Sequence, residues 1–507
     1  MTLFTKNSGQ ARVRLVEAGA VLAAAALIAG CGSAYRPVVT PINPSGPPAQ
    51  PSSFAVVVSD PSPTAPGVAT IINYSGDDIM AQQPIGVGPT ALTVDHLGTT
   101  AYTLNSDGTL NSFPVSSSFQ ELNVQDITLF PTTRLTGLYA PTAGLWAADL
   151  DGNVADVLTG SPATFNLSIP IAPIPVAIIG AGATSQTNFA ISQNNINTTP
   201  NDTRLACTQN PAQVAKAGLT GEADAIEATF RTVVARIPLG HCPDYALESS
   251  DGNRLFVLNR GDDTITVINS QTQKLDSCKC PPTGCLNQNN QPYFCHPSLP
   301  LSTTAGLKGA NAPTIAGPVY AEYNTAASQL VVADYDGGTI TVIDVSLDEY
   351  LNDSPTFGTT FTIPVGNNPA SVTALPDFSR AYTANQTDGT VSVVNLSSHT
   401  LEKTLPVNGH PRTVVSTANS LYGKVYVASP DSPLLSIIRT DLDIPDTTIL
   451  VPGDILDVRV STQNGSSGNS DNTSRMPGAG QPCYLPPALM STTYGPNYTL
   501  ANCQTLP

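Results

Sequence analysis

"GNNPASVTALPDFSRAYTANQTDGTVSVVNLSSHTLEKTLPVNG", residues 366–409, contains four strand-length segments separated by turn signals. Ala370–Leu375, Arg380–Asn385, Thr390–Leu396 and Leu401–Val407 are rich in Val, Thr, Tyr and Leu, and Pro-Asp, Asp-Gly and Asn-Gly pairs punctuate them. Its middle phrase, "DGTVSVVNLS" at 388–397, recurs as "DDTITVINSQ" at 262–271 and "DGGTITVIDVS" at 336–346. Weaker copies are "DGTLNSFPVS" at 107–116 and "DGNVADVLTG" at 151–160. A phrase repeated at such spacing marks one supersecondary unit used many times. Aspartate followed by glycine is expected to supply the positive backbone angles of a two-residue hairpin, so the pair is a fold signal. "DLDGN" at 149–153 also resembles the opening of a calcium loop, but no Glu stands where an EF-hand requires one, and the turn reading is preferred.

These units resemble the YVTN family of β-propeller repeats, whose pattern runs glycine, proline, strand, "sPDG", "lYVtN" and "tVsviD". The resemblance is carried by "GHCPDYALESSDGNRLFVLNRGDDTITVINSQT" at 240–272, by "GHPRTVVSTANSLYGKVYVASPDSPLLSIIRT" at 409–440, and by 311–366 and 366–409. Residues 88–127 and 128–172 keep the spacing in degenerate form, and 173–239 keeps "PIPVAIIG" and "RTVVARIPLG" around a long interruption. It implies an all-β chain forming a single β-propeller of four-stranded blades.

Second strands are expected near Ala101, Leu145, Asn188, Leu255, Leu330, Ala381 and Val425, which makes seven full units. The stretch from Phe54 supplies the second, third and fourth strands of another, and "PGDILDVRVSTQNG" at 452–465 supplies its first. The expectation is therefore eight blades over 54–463, with seven the alternative, closed by Ile455–Thr462 completing the N-terminal blade. Such closure removes an open sheet edge.

Composition agrees with an all-β reading. The chain has 45 Pro and 39 Gly in 507 residues, and only 12% of residues are charged. With 21 Lys and Arg and a net charge of −17, it offers no basic face of the kind that neutralises phosphates, which excludes nucleic acid as a partner.

Residues 1–30 read as a signal peptide: Lys6, Arg12 and Arg14 precede an apolar run, Ala18–Gly30, too short to span a bilayer comfortably. Ile28, Ala29, Gly30 and Cys31 resemble the bacterial lipobox, which implies cleavage before Cys31 and lipid on its sulfur, hence a membrane partner. Gly32, in the place where an Asp would retain the protein at the inner membrane, implies the outer membrane of a Gram-negative cell envelope. Residues 31–53 then form a linker, with six prolines in 32–53, that reaches up to roughly 70 Å when extended. Residues 464–507 read as a flexible tail with a Cys pair.

Eight cysteines follow Cys31, an even number suited to an oxidising compartment. Cys278, Cys280, Cys285 and Cys295 crowd an insertion at 277–298, where with His296 they offer soft metal ligands in a short span. The C-x-x-C knuckles usual for zinc are missing, so two local disulfides are expected and no metal site. Cys207 and Cys242 flank the interrupted unit, and Cys483 and Cys503 lie in the tail.

His241 and His410 hold the same place in two repeats, "GHCP" and "GHPR", and are candidates for one mouth of the central channel. Against this, Asn367 and Val87 fill the same slot in other units, which favours a loop position without chemistry. Asp251, Asp262 and Asp336 read as turn residues. No phosphate loop, G-x-S-x-G elbow or carboxylate pair in motif context is found, and no cofactor is called for. The chain thus reads as a binding or scaffold module for a protein, glycan or small ligand, more than as an enzyme. The alternative is a lactonase-like hydrolase or a quinoprotein-dehydrogenase-like enzyme, since similar propellers include both.

Overall fold

The computed structural model describes residues 53–461 apart from internal segments, the longest being 195–219 and 302–315. The signal segment, Cys31, the linker up to Ser52 and the tail lie outside the described residues. Every regular element among those described is a strand.

Eight antiparallel four-stranded sheets follow one another. Their innermost strands begin at Pro89, Leu135, Pro175, Pro243, Pro318, Pro369 and Thr413, and the eighth is Asp454–Val460. Each innermost strand packs on the next, and Asp454–Val460 touches both Pro89–Val94 and Thr413–Ser416, so the ring is closed. The architecture is an eight-bladed β-propeller. Blade 1 joins Phe54–Asp60, Pro66–Asn73 and Asp78–Val87 to Asp454–Val460, with Ala55 opposite Val460 and Val57 opposite Val458. The expected closing strand and the count of eight both hold.

Blade 7 shows how the sequence builds a blade. Its strands are Pro369–Ala374, Arg380–Asn385, Thr390–Asn395 and Thr400–Pro406, within a residue of those expected. The first is buried throughout, whereas the fourth exposes all but Leu405, which is why "TLEKTLP" carries charge and "PASVTA" does not. The apolar core lies in seams between blades. Tyr382, Val391 and Val393 of blade 7 pack with Val414, Val425 and Ile438 of blade 8, and Ala55 and Val57 of blade 1 pack with Tyr426 and Leu435 of blade 8.

The asparagine closing the second strand has a buried task. Asn385 Nδ2 donates to Thr390 Oγ1 at 3.0 Å and to Ser392 Oγ at 2.9 Å, while its Oδ1 accepts the Gly366 N–H at 3.2 Å. Asn259 repeats the arrangement with Thr264, Thr266 and Gly240. Three separated features of the repeat, the leading Gly, the Asn and the Thr-x-Thr/Ser, are thus one hydrogen-bond network, and buried polar groups require such partners.

The Asp-Gly pair differs from expectation. Asn385 pairs with Thr390, so the hairpin loop has four residues, Gln386–Gly389, and only Gly389 has positive φ, +63°. Gly338 at +63° and Asp263 at +56° hold the same place in blades 6 and 5. Glycine serves the backbone there; the aspartate instead sends its carboxylate to the start of the innermost strand.

A second regularity lies between the third and fourth strands. In blade 7, Val393 pairs with Lys403 but Val394 with Leu401, leaving Glu402 unopposed. Blades 1, 3, 4 and 8 slip at the same rung. Such bulges already interrupt the ladder. In blade 5 this rung expands into the Cys-rich insertion: Ile268 pairs with Leu275, Thr266 with Ser298, and 276–297 lies between. The Val267 carbonyl accepts the Asp276 N–H at 2.9 Å, and the Val267 N–H donates to Pro297 O at 3.0 Å. The insertion leaves and returns across one residue, so the blade keeps its fourth strand in two pieces.

Candidate functional site

Loops linking second to third strands, and those leading into innermost strands, gather at one end of the ring, here called the hairpin face. His241 and His410 both lie on it. The His410 N–H donates to Asp431 Oδ1 at 2.7 Å, and His410 Nδ1 meets Asp431 Oδ2 at 2.5 Å. His241 makes the same pair of contacts with Asp262, its N–H reaching Oδ2 at 2.8 Å. Asn367 does likewise: its N–H and Nδ2 donate to Asp388 at 2.7 and 2.8 Å. Histidine and asparagine are alternative fillings of one slot that ties a blade's start to its hairpin. The two histidines stand in blades 5 and 8, each held by its own aspartate.

The same face carries a cluster that inspection of motifs missed. Arg260, 5% exposed, forks onto Asp336 of the next blade, with Nε to Oδ2 at 2.9 Å and Nη2 to Oδ1 at 2.8 Å. Bidentate pairing of this kind fixes orientation as well as charge. The guanidinium also lies 5.4 Å from the ring centroid of Tyr335. Beneath it is Asp244, on the innermost strand of blade 5 and 2% exposed. Gln193 of blade 4 donates to Asp244 Oδ1 at 3.3 Å, while Oδ2 receives no hydrogen bond and stands 3.9 Å from Arg260 Nη1. Burial raises the Asp244 carboxyl to about 7 against the pull of Arg260. Asp336 is therefore more than a turn residue, whereas Asp251 remains one, accepting Ser249 Oγ at 2.5 Å and the Asn253 N–H at 3.0 Å. A column-by-column comparison of repeats would have found the cluster, because Arg260 stands where blade 7 has Gln386, and Asp244 where it has Ala370.

The Cys-rich insertion forms a second concentration of polar chemistry. Cys278 and Cys295 are joined by a disulfide, Cα atoms 5.7 Å apart, at the base of the insertion. Cys242, ahead of the innermost strand of blade 5, and Cys285, within the insertion, are each engaged in a disulfide as well. Thiolates for a metal centre are thus unavailable at Cys278, Cys285 and Cys295. Cys207, Cys280, Cys483 and Cys503 lie outside the described residues. Next to the disulfide, His296 Nδ1 meets Asp353 Oδ2 at 2.7 Å, and Arg254 Nη2 donates to Asp353 Oδ1 at 3.1 Å. Arg254 lies 3.4 Å from Asp276, whose carboxyl is raised to about 6 by burial and by Asp353. This knot fastens the insertion to blade 6. The same strand position and the same turn of the next blade pair Arg380 with Asp443 and Lys424 with Asp77. The knot is thus an elaborated inter-blade tie.

No protein-family profile matches the chain, and no curated protein sequence does. Solved structures resemble it in fold. Apo AztD from Citrobacter koseri superposes with a TM-score of 0.54 at 13% identity, covering 80% of this chain and 97% of that one. NirN, a dihydro-heme d1 dehydrogenase in complex with DHE, superposes with a TM-score of 0.52 at 14% identity, covering 82% and 77%. At such identities the likeness defines a class, the β-propellers, and carries no activity across.

Proposed function

We propose that the chain is a lipid-anchored propeller of the bacterial cell envelope, built of YVTN-type repeats and acting as a binding or scaffold module. One observation carries the choice of binding over catalysis: the hairpin-face histidines do the work that Asn367 does in the same slot, tying a blade together. An amide cannot replace a general base, so the slot asks for a hydrogen-bond donor and not for proton transfer. The lipobox at Ile28–Cys31, the Pro-rich linker and the Cys278–Cys295 disulfide support placement in an oxidising envelope, at the outer membrane by the Gly32 rule. Substitution Cys31→Ser tests the anchor. It should move the protein from the membrane to the soluble periplasmic fraction and abolish labelling by a fatty-acid probe; unchanged membrane retention defeats the reading.

A further inference from the structure

The two ends of the ring differ in what they expose. Turns joining first to second strands, and third to fourth, gather at the end opposite the hairpin face. There Leu97 of blade 2 is 60% exposed, Phe230 of blade 4 80%, and Leu351 of blade 6 and Leu442 of blade 8 52% each; Leu401 of blade 7 is exposed as well. The Cys-rich insertion adds exposed Phe294, whose backbone pairs with Asp353, two residues from Leu351. On the hairpin face Leu450 is the one large apolar side chain exposed among the described residues. Apolar side chains scattered singly over a surface need no account, but a set gathered at one end does.

Two of these side chains stand on anchored backbone. Leu351 has φ of +63°, which bulky residues seldom adopt; its N–H donates to Asp348 O and its carbonyl accepts Arg254 Nη2, each at 3.0 Å. The Leu442 carbonyl accepts Lys403 Nζ of the neighbouring blade at 2.7 Å. Half-exposed on fixed turns, both leucines are presented outward.

What covers that end follows from where the chain joins it. The Phe54 N–H donates to Ser461 Oγ and the Ser461 N–H to Phe54 O, each at 2.8 Å, so the chain enters and leaves the ring at the apolar end. We propose that this end lies on the bilayer that holds the lipid on Cys31, with its leucine and phenylalanine side chains in the boundary between headgroups and acyl chains and the hairpin face turned away from lipid. Interfacial binding of this kind grows with the apolar area it buries. Contacts too weak to hold a free protein suffice for a tethered one, because the linker makes the second contact intramolecular. The inference gives the anchored domain an orientation and rests on the anchor reading.

The test places a nitroxide on Phe230→Cys, Leu442→Cys or Leu450→Cys in the full-length lipidated protein, reconstituted in phosphatidylcholine vesicles. The Cys31→Ser form of each, free in water, is the reference. Collision with a water-soluble nickel chelate should fall about fivefold or more on the vesicles for the first two labels, and by less than about 1.5-fold for Leu450→Cys on the hairpin face. Leu97→Ser, Leu351→Ser and Leu401→Ser together should raise chelate access at the Phe230→Cys label about threefold or more, with flotation and melting temperature unchanged. Equal protection at all three labels overturns the proposal. So does protection of Phe230→Cys in the vesicle-free protein that fades on dilution, which would mean that a second copy covers this end. Protein that does not float with the vesicles overturns the anchor reading as well; protein that floats with its labels in water overturns this proposal alone.

Discussion

Blade 7 and blade 1 are the same sheet made in two ways. Blade 7 is one continuous stretch in which each strand pairs with the next through a hairpin. Blade 1 takes Phe54–Val87 from one end of the ring and Asp454–Val460 from the other, pairing Ala55 with Val460. The ladder is indifferent to connectivity, but its closure is not: a loop about a hundred times longer costs about 4 kcal/mol more by chain statistics. Blade 1 is therefore expected to close last, once its neighbours hold the two ends near. Local chemistry differs at the end of the second strand too, as it also does in the continuous blade 8, where Ser429 Oγ donates to Asn408 O at 2.5 Å. Where blade 7 has Asn385 binding its own hairpin, blade 1 has Ser59, whose hydroxyl donates to Pro452 O at 2.7 Å, across the junction of the two ends.

The sharpest way to break the comparison is to remove the distant strand. Truncation after Gln463 keeps every described strand and should leave a cooperative melt. Truncation after Pro452 removes Ile455, Val458 and Val460, all buried, each contributing about 1.5–3 kcal/mol, and bares the edge of Phe54–Asp60. Aggregation, or a far lower melting temperature, is expected only for the shorter protein. Equal behaviour of the two would mean that Phe54–Asp60 finds another partner.

A smaller effect separates the two hydrogen-bond systems. Asn385→Ala leaves Gly366, Thr390 and Ser392 without their buried partner and should cost about 2–3 kcal/mol in denaturant unfolding. Ser59→Ala removes one hydroxyl and should cost about 1 kcal/mol. If Ser59→Ala proves the costlier, the junction and not the repeat network holds blade 1.

The smallest effect sharpens the role of that asparagine. Blade 6 writes the position as Asp334, which accepts Thr339 Oγ1 at 3.0 Å and Thr341 Oγ1 at 2.6 Å while its Oδ1 lacks a donor. Burial raises its carboxyl to about 7, so the folded protein holds this proton more tightly than the unfolded chain. The contribution is complete below about pH 4 and is lost as pH rises through 7. Asp334→Asn restores the amide of blades 5 and 7. It should add about 1 kcal/mol at pH 8 and little at pH 5, flattening the pH dependence of the melting temperature. A uniform shift at both pH values would contradict the protonation argument.

Much of this fold is legible in sequence because its causes are local and repeated. Strand-length runs of Val, Thr and Tyr, glycine at the positive-φ loop end and the spacing between copies determine four strands per blade and eight blades, and "DILDVRV" reads as a first strand wherever it lies in the chain. The same spelling misled at the Asp-Gly pair, since pattern shows which residue recurs but not which distant N–H its carboxylate reaches. Tertiary structure alone decided three things: that Arg260 meets Asp336, 76 residues away, over a buried Asp244; that 276–297 leaves blade 5 at the rung other blades use for a bulge; and that Lys424 ties to Asp77 across the closing seam. Each joins groups on different blades or on rungs set by another strand, so each depends on how sheets stack around an axis and not on any stretch of chain that could announce it.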